Sequence, residues 1–304
     1  MRICHIGTMG ELKNYGSITR DIASKCKGEH IHADLYSSKL PEADIYLLHS
    51  FRNYKHLRAF RDFEHPAKGR VISLLHSSEP CMPALCSDVV VTISDTWRKR
   101  MREKYGIESQ MIRGALDVAL YADVEPDYAG FTFGRISRAE PGKFHRDWPQ
   151  IVRNIKATVL GARYLLVCKD IKPSETGAAD EQIVDIAIGD LTRKKEMLSH
   201  MSVFADMHDD RGLCEEVWGM AMLEAMASGL PIIALMDGQP GMLELCGDAI
   251  VPIAHAADYE RYFKALLLSK AVKMERGAAA RERAKQFDLN VMIEQWNDLF
   301  ERMI

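Results

Sequence analysis

The sequence has no apolar run approaching the roughly 18 residues that cross a bilayer, which excludes a membrane-spanning helix. Its opening, MRICHIGTMG, lacks the pattern of a secretory leader, so a cytoplasmic protein is expected. Cysteine is sparse and unpatterned. There are seven, an odd number, with no C-x-x-C pair; Cys81 and Cys86 stand five apart. That argues against a disulfide framework and against zinc, and for reduced thiols. Charge of one sign is lacking too. A formal net charge of -3 and a pI near 6.4 exclude a generally basic nucleic-acid binder, though not a local basic patch. Internal repeats and low-complexity tracts are absent. What remains is an ordinary globular composition, 47% hydrophobic and 27% charged, in 304 residues, enough for two domains.

Short apolar runs alternate with amphipathic ones along the chain. RICHIG (2–7), DIYLLHS (44–50), RVISLLHSS (70–78) and DVVVTIS (88–94) read as strands. Helices are expected from Ser17 to Cys26, over FRNYKHLRAFRDF, and over TWRKRMREKYG. Continuous β-branched runs separated by helices imply parallel sheets covered on both faces. The pattern breaks over DVALYADVEPDYAG, which contains Pro126 and reads as a linker. It restarts with GFTFGRIS, WPQIVRNIKATV, ARYLLVCKD, DIAIGD, KKEMLSHM, SVFADM, GMAMLEAMAS and PIIAL, followed by a helical tail from about residue 258. The expectation is an α/β protein of two doubly wound Rossmann-like domains facing a cleft: 1–125, 126–285, and a terminal helix, 286–304, crossing back to the first domain. Ligands belong at the carboxyl ends of such strands.

One stretch asks for an explanation. EEVWGMAMLEAMASGLPIIA (215–234) places Glu216 and Glu224 eight positions apart around the start of a helix near Gly219. Gly229 marks the end of that helix, with Pro231 beyond it. A helix start offers free N–H groups and the positive end of the macrodipole, a natural place for phosphate.

E-x7-E followed by A-M-A-x-G-x-P-I-I resembles the signature of the large family of retaining GT-B glycosyltransferases that includes sucrose synthases and mannosyltransferases. Glu216, Gly219, Glu224, Ala225, Gly229 and Pro231 fall where that signature needs them. GRISRAEPGKF is similar to the family's basic G-R-[IL]…K segment, although Lys143 follows Arg135 by eight positions where about six is usual. Arg113-Gly114-Ala115-Leu116-Asp117 stands where the family has N-G-V-D, without the Asn. The likeness spans most of the chain and is densest from about 130 to 252.

The resemblance implies a hexosyltransferase-like enzyme that moves a sugar from a nucleoside-diphosphate sugar, of UDP or GDP type, to an acceptor hydroxyl with retention of configuration. It implies no cofactor and no metal. Glu224 would accept hydrogen bonds from the ribose hydroxyls, and Glu216 from a hydroxyl of the donor sugar; ionised carboxylates suit a vicinal diol. Arg135 and Lys143, with Arg138 in reserve, would neutralise the diphosphate as the glycosidic bond breaks. His76 would face the sugar across the cleft. Gly219 and Met220 open the phosphate-facing helix. Gly189, in IAIGDLTRKK, belongs to the segment that meets the base, and Gly10 to the first Gly-containing loop. The polar run Asp206, His208, Asp209, Asp210 has no ligand spacing and reads as a solvated loop. Cys214 has no evident His partner to make it a nucleophile.

On the acceptor side, Arg52, Lys55, Arg58 and Arg61 recur every three residues among Phe51, Tyr54, Phe60 and Phe63. They read either as a solvated face over aromatics or as a surface for an anionic acceptor: DNA with hydroxymethylated bases, anionic lipid, or a glycan. Two other functions compete: a non-catalytic nucleotide-sugar-binding module that keeps the fold, and a sugar-nucleotide epimerase, which lacks the E-x7-E signature.

Overall fold

The computed structural model describes residues 1–7, 17–34, 40–49, 69–75, 87–137, 143–167, 183–184, 190–206, 208, 218–235 and 240–304. The chain divides into two compact units: Met1–Leu116 with Phe287–Ile304, and Asp117–Gln286.

The first unit is built on a six-stranded sheet: β1 (Arg2–Gly7), β2 (Glu29–Asp34), β3 (Ile45–His49), β4 (Arg70–Leu75), β5 (Val89–Thr92) and β6 (Gln110–Met111). All pairs are parallel, in the order β2-β1-β3-β4-β5-β6. The central strands are apolar along their length because both faces are covered. Ile3, Cys4, Ile6, Leu47, Leu48, Ile72 and Leu74 are all buried. Helix α1 (Ser17–Lys25) follows β1. Helix α2 (Asp95–Tyr105) follows β5, capped by the Ser94 side chain and ended by Gly106 in the left-handed region.

The second unit repeats the plan with β7 (Thr132–Ile136), β8 (Arg163–Val167), β9 (Ile183–Val184), β10 (Val203–Asp206), β11 (Ile232–Leu235) and β12 (Ile250–Ile253). Its order is β12-β11-β10-β7-β8-β9, again parallel throughout. The helices are α3 (Trp148–Thr158), α4 (Leu191–Ser199), α5 (Met220–Ala227), α6 (Pro240–Cys246), α7 (Ala256–Leu268) and α8 (Lys270–Ala284). An aromatic cluster anchors α3 and α7 to the sheet: Phe133 meets Phe263 edge-on at 4.9 Å between centroids, and Trp148 donates to the Tyr164 hydroxyl at 3.0 Å.

The terminal helix α9 (Leu289–Met303) belongs to the first unit. Just past the end of α1, the Lys27 amide donates to the Asn297 side chain (2.8 Å) and the Lys27 ammonium pairs with Glu301 (2.9 Å). The first division falls at 116/117 rather than at 125, because the stretch that reads as a linker is bound into the second unit. Tyr121 and Val124 are buried, the Asp127 amide donates to the Ser199 carbonyl, and Arg281 donates to the Val124 carbonyl at 2.8 Å.

Candidate functional site

Each sheet has one switch point, where the winding direction reverses and crevices for ligands form at the carboxyl edge. In the second unit it lies between β7 and β10, since the chain goes from β7 out to β8 and β9 and then returns to β10 and β11. Arg135, the penultimate residue of β7, and Asp206, the last of β10, sit at this point.

Arg135 Nη2 lies 2.7 Å from Asp206 Oδ1, and both side chains are buried, 2% and 8% exposed. Arg135 Nη1 donates to the Lys143 carbonyl at 2.7 Å, and the guanidinium stacks 4.6 Å above the Phe144 ring. His208 Nδ1 is 3.1 Å from the same Asp206 oxygen. Burial pushes the Asp206 carboxyl up, but Arg135, His208 and Lys143 outweigh it and hold the group well below the ordinary carboxylate range. The polar run from Asp206 therefore does not behave as a solvated loop at its start. Asp206 and His208 are buried, because parallel pairing with β7 brings an arginine against the end of β10. Asp209 and Asp210 lie outside the described residues. Arg135, read from sequence as a diphosphate ligand, has its guanidinium turned onto Asp206 and the Lys143 carbonyl. Lys143 is itself buried.

Helix α5 starts from Gly219, an N-cap without a side chain to satisfy the first amides. A Cβ at Gly219 would come within 3.3 Å of the Met222 Cβ, so the entry to the helix is close-packed. Glu224 stands in the middle of α5 among buried Met222, Leu223, Ala225, Met226 and Ala227. Lys194, from the first half of α4, reaches Glu224 Oε1 at 2.6 Å. Burial first and Glu224 second push the Tyr121 phenol well above its ordinary range. Sequence reasoning passed over Lys194 and Tyr121. Lys194 stands in IAIGDLTRKK, the segment the resemblance places at the base, and Tyr121 stands in the stretch that reads as a linker.

Glu216, His76, Gly189, Gly10, Arg138 and Cys214, and the basic stripe from Arg52 to Arg61, lie outside the described residues.

The switch point of the first sheet, between β1 and β3, carries a chain of histidines. His30 Nε2 is 3.2 Å from the Cys26 carbonyl, which only accepts, so that nitrogen bears the proton. His5 Nε2 then donates to His30 Nδ1 (2.8 Å), His49 Nε2 to His5 Nδ1 (3.1 Å), and the Thr19 hydroxyl to His49 Nδ1 (3.1 Å). With all three rings neutral, each of these hydrogen bonds has one proton to share.

No protein-family model matches the sequence, and no curated protein matches it. Solved structures do. The chain superposes on HepE from Anabaena in complex with UDP-glucose, with a TM-score of 0.76 at 14% identity, covering 99% of this chain and 100% of that one. Sucrose-phosphate synthase from Thermosynechococcus elongatus gives 0.71 at 13%, covering 100% and 99%. A glycosyltransferase from Rickettsia africae gives 0.67 at 14%, covering 99% and 98%. The fold is GT-B. At these identities the likeness is one of fold, and the chemistry must be argued from the side chains.

Proposed function

We propose that this chain transfers a sugar from a nucleoside-diphosphate sugar, of UDP or GDP type, to an acceptor hydroxyl, with retention of configuration and without a metal. The observation that carries the reading is Glu224. A carboxylate in the packed middle of a helix costs desolvation, and here Lys194 pairs with it at the place the E-x7-E signature reserves for the nucleotide acid. The solved complex of HepE with UDP-glucose, on the same fold, supports it.

In this reading Glu224 accepts the ribose diol, and the bare start of α5, at Gly219 and Met220, takes a phosphate on its backbone amides. The cluster at the switch point sets the positive charge of Arg135 and Lys143 beside the Asp206 carboxylate. That charge opposes the negative charge that grows on the diphosphate as the glycosidic bond breaks, which is the term a metal supplies elsewhere. Arg135 contributes through position, by fixing the Lys143 backbone, as well as through charge. Glu216 on a donor-sugar hydroxyl, His76 facing the sugar, and Gly189 and Gly10 beside base and phosphate complete the assignment by resemblance. The acceptor is a hydroxyl on DNA, anionic lipid or a glycan.

Calorimetric titration of UDP-glucose and GDP-glucose into the wild type and Glu224→Ala tests the reading. One donor should bind the wild type, and the variant should lose roughly tenfold or more in affinity. Equal affinity in a folded variant would reject Glu224 as the nucleotide acid.

A further inference from the structure

Single exposed apolar side chains are ordinary on a protein surface, but a group of them is not. Leu160 (95% exposed), Leu268 (59%), Val272 and Met274 come from two separate stretches and gather at one end of the second unit. Leu160 follows α3, and Leu268 ends α7 just before α8 begins at Lys270. Their chain neighbours Val159 and Leu267 are buried in one hydrophobic cluster, with Phe131 packed against it. Phe131 joins the two stretches: a Cβ on Gly161 would lie 3.9 Å from its ring, and the Lys273 ammonium sits 5.3 Å from the ring centroid. Between parallel strands, α3 and α7 run back to the start of the sheet. The group therefore lies at the amino edge, opposite the carboxyl edge that carries Arg135 and Asp206. Lys156, Arg163 and Lys270 are exposed in the same stretches, and none of them forms an ion pair with a described residue. Further along α7 such cations have partners: Arg261 pairs with Asp258 at 3.2 Å, and Lys264 with Glu260. The acids at this end are Asp127, whose carboxylate accepts the Gly130 amide at 2.9 Å, and Glu275.

We propose that this corner is a docking surface for an anionic lipid membrane, with Leu160 and Leu268 entering the headgroup layer and Lys156, Arg163 and Lys270 meeting lipid phosphates. Charge and shape together select this occupant. A second copy of the chain, meeting the corner symmetrically, would set the same unpaired cations against each other. A nucleic acid would satisfy the cations through its phosphates but leave the leucines in water. An anionic bilayer takes both kinds of residue: apolar side chains are buried at the boundary with the acyl chains, and each basic residue near the surface strengthens binding roughly fivefold. The proposal stands apart from the donor reading, because the surface is at the other edge of the sheet from the residues assigned to the donor.

Co-sedimentation of the full chain tests it, with vesicles of phosphatidylcholine alone and of phosphatidylcholine and phosphatidylglycerol in equal parts, at low and high salt. Wild type should sediment with the anionic vesicles only, and less at high salt. Leu160→Asp and Leu268→Asp should each reduce binding severalfold, as should Lys156→Glu combined with Lys270→Glu. Ile304→Asp, which removes an exposed apolar side chain from the other unit, should bind as wild type does. Every substituted position is exposed, so all variants should fold, and thermal unfolding checks that they do. The proposal is overturned if wild type sediments with neither vesicle, if it sediments equally with both, or if the folded corner variants bind as wild type does. A wild-type dimer in analytical ultracentrifugation that Leu160→Asp turns into a monomer would also overturn it, by assigning the corner to a second copy of the chain.

Discussion

Asp206 is buried between Arg135 and His208, and the balance of that cluster decides what its variants do. Arg135→Met would leave the carboxylate buried without its main counter-charge. The expected cost is about 3–5 kcal/mol in urea unfolding, and Asp206→Asn added to it should recover part of the loss. An Arg135→Met protein as stable as wild type would contradict the pairing. The histidines of the first unit give a pH dependence of definite sign. Burial first, then the nearby His30 and His32, push His5 down to about 3, and burial lowers His30 and His32 in the same direction. The unfolded chain therefore binds more protons below its ordinary imidazole pKa. The stability is fully present above about pH 6.5 and is lost as pH falls toward 3. His5 alone accounts for on the order of 2 kcal/mol between pH 7.5 and 5, readable as a fall in unfolding free energy that His5→Phe should flatten. A pH-independent stability across that range would rule the neutral chain out. The family resemblance singled out Glu224, Arg135 and Lys143 before any coordinates. The Lys194–Glu224 and Arg135–Asp206 pairs were not legible, because each joins residues 30 or more positions apart that only the fold brings close.

Helix α5 shows how an element carries the site. Its end is a Schellman motif: the Leu230 amide donates to the Ala225 carbonyl (3.0 Å) and the Gly229 amide to the Met226 carbonyl (2.9 Å), with Gly229 at φ +80°. Arg281 closes the same end through the Ser228 carbonyl at 2.6 Å. Gly229→Ala forces a left-handed alanine and sets its Cβ within 2.9 Å of the Arg281 guanidinium, so about 1–2 kcal/mol of stability should be lost in denaturant titration. An unchanged midpoint would mean the helix ends otherwise. This helix was readable from GMAMLEAMASGLP because its stop signals are local, and the apolar strands were readable because both faces are covered. Strand β2 was not. EHIHAD is an edge strand that alternates histidines with small or apolar residues, and its partner β1 supplies the reason for the histidines. Strands β6 and β9 are two residues each, too short to leave a period.

At the scale of the molecule, both units repeat one plan, six parallel strands with a single switch point, and each switch point carries buried polar chemistry. The residues proposed for the donor site, Arg135, Lys143, Gly219 and Glu224, and the pairing residues Lys194 and Asp206 all belong to the unit from Asp117 to Gln286. Donor chemistry therefore should not depend on which acceptor is offered. The most direct measurement is release of nucleoside diphosphate from a panel of UDP- and GDP-sugars, with and without DNA, lipid and glycan acceptors, in buffer containing EDTA. The account predicts release from one donor, undiminished by the chelator, sharply reduced in Glu224→Gln, and a product whose anomeric coupling constant matches the donor's. A folded wild type that releases nothing from any donor, or whose release disappears with EDTA or inverts the anomeric centre, would contradict it.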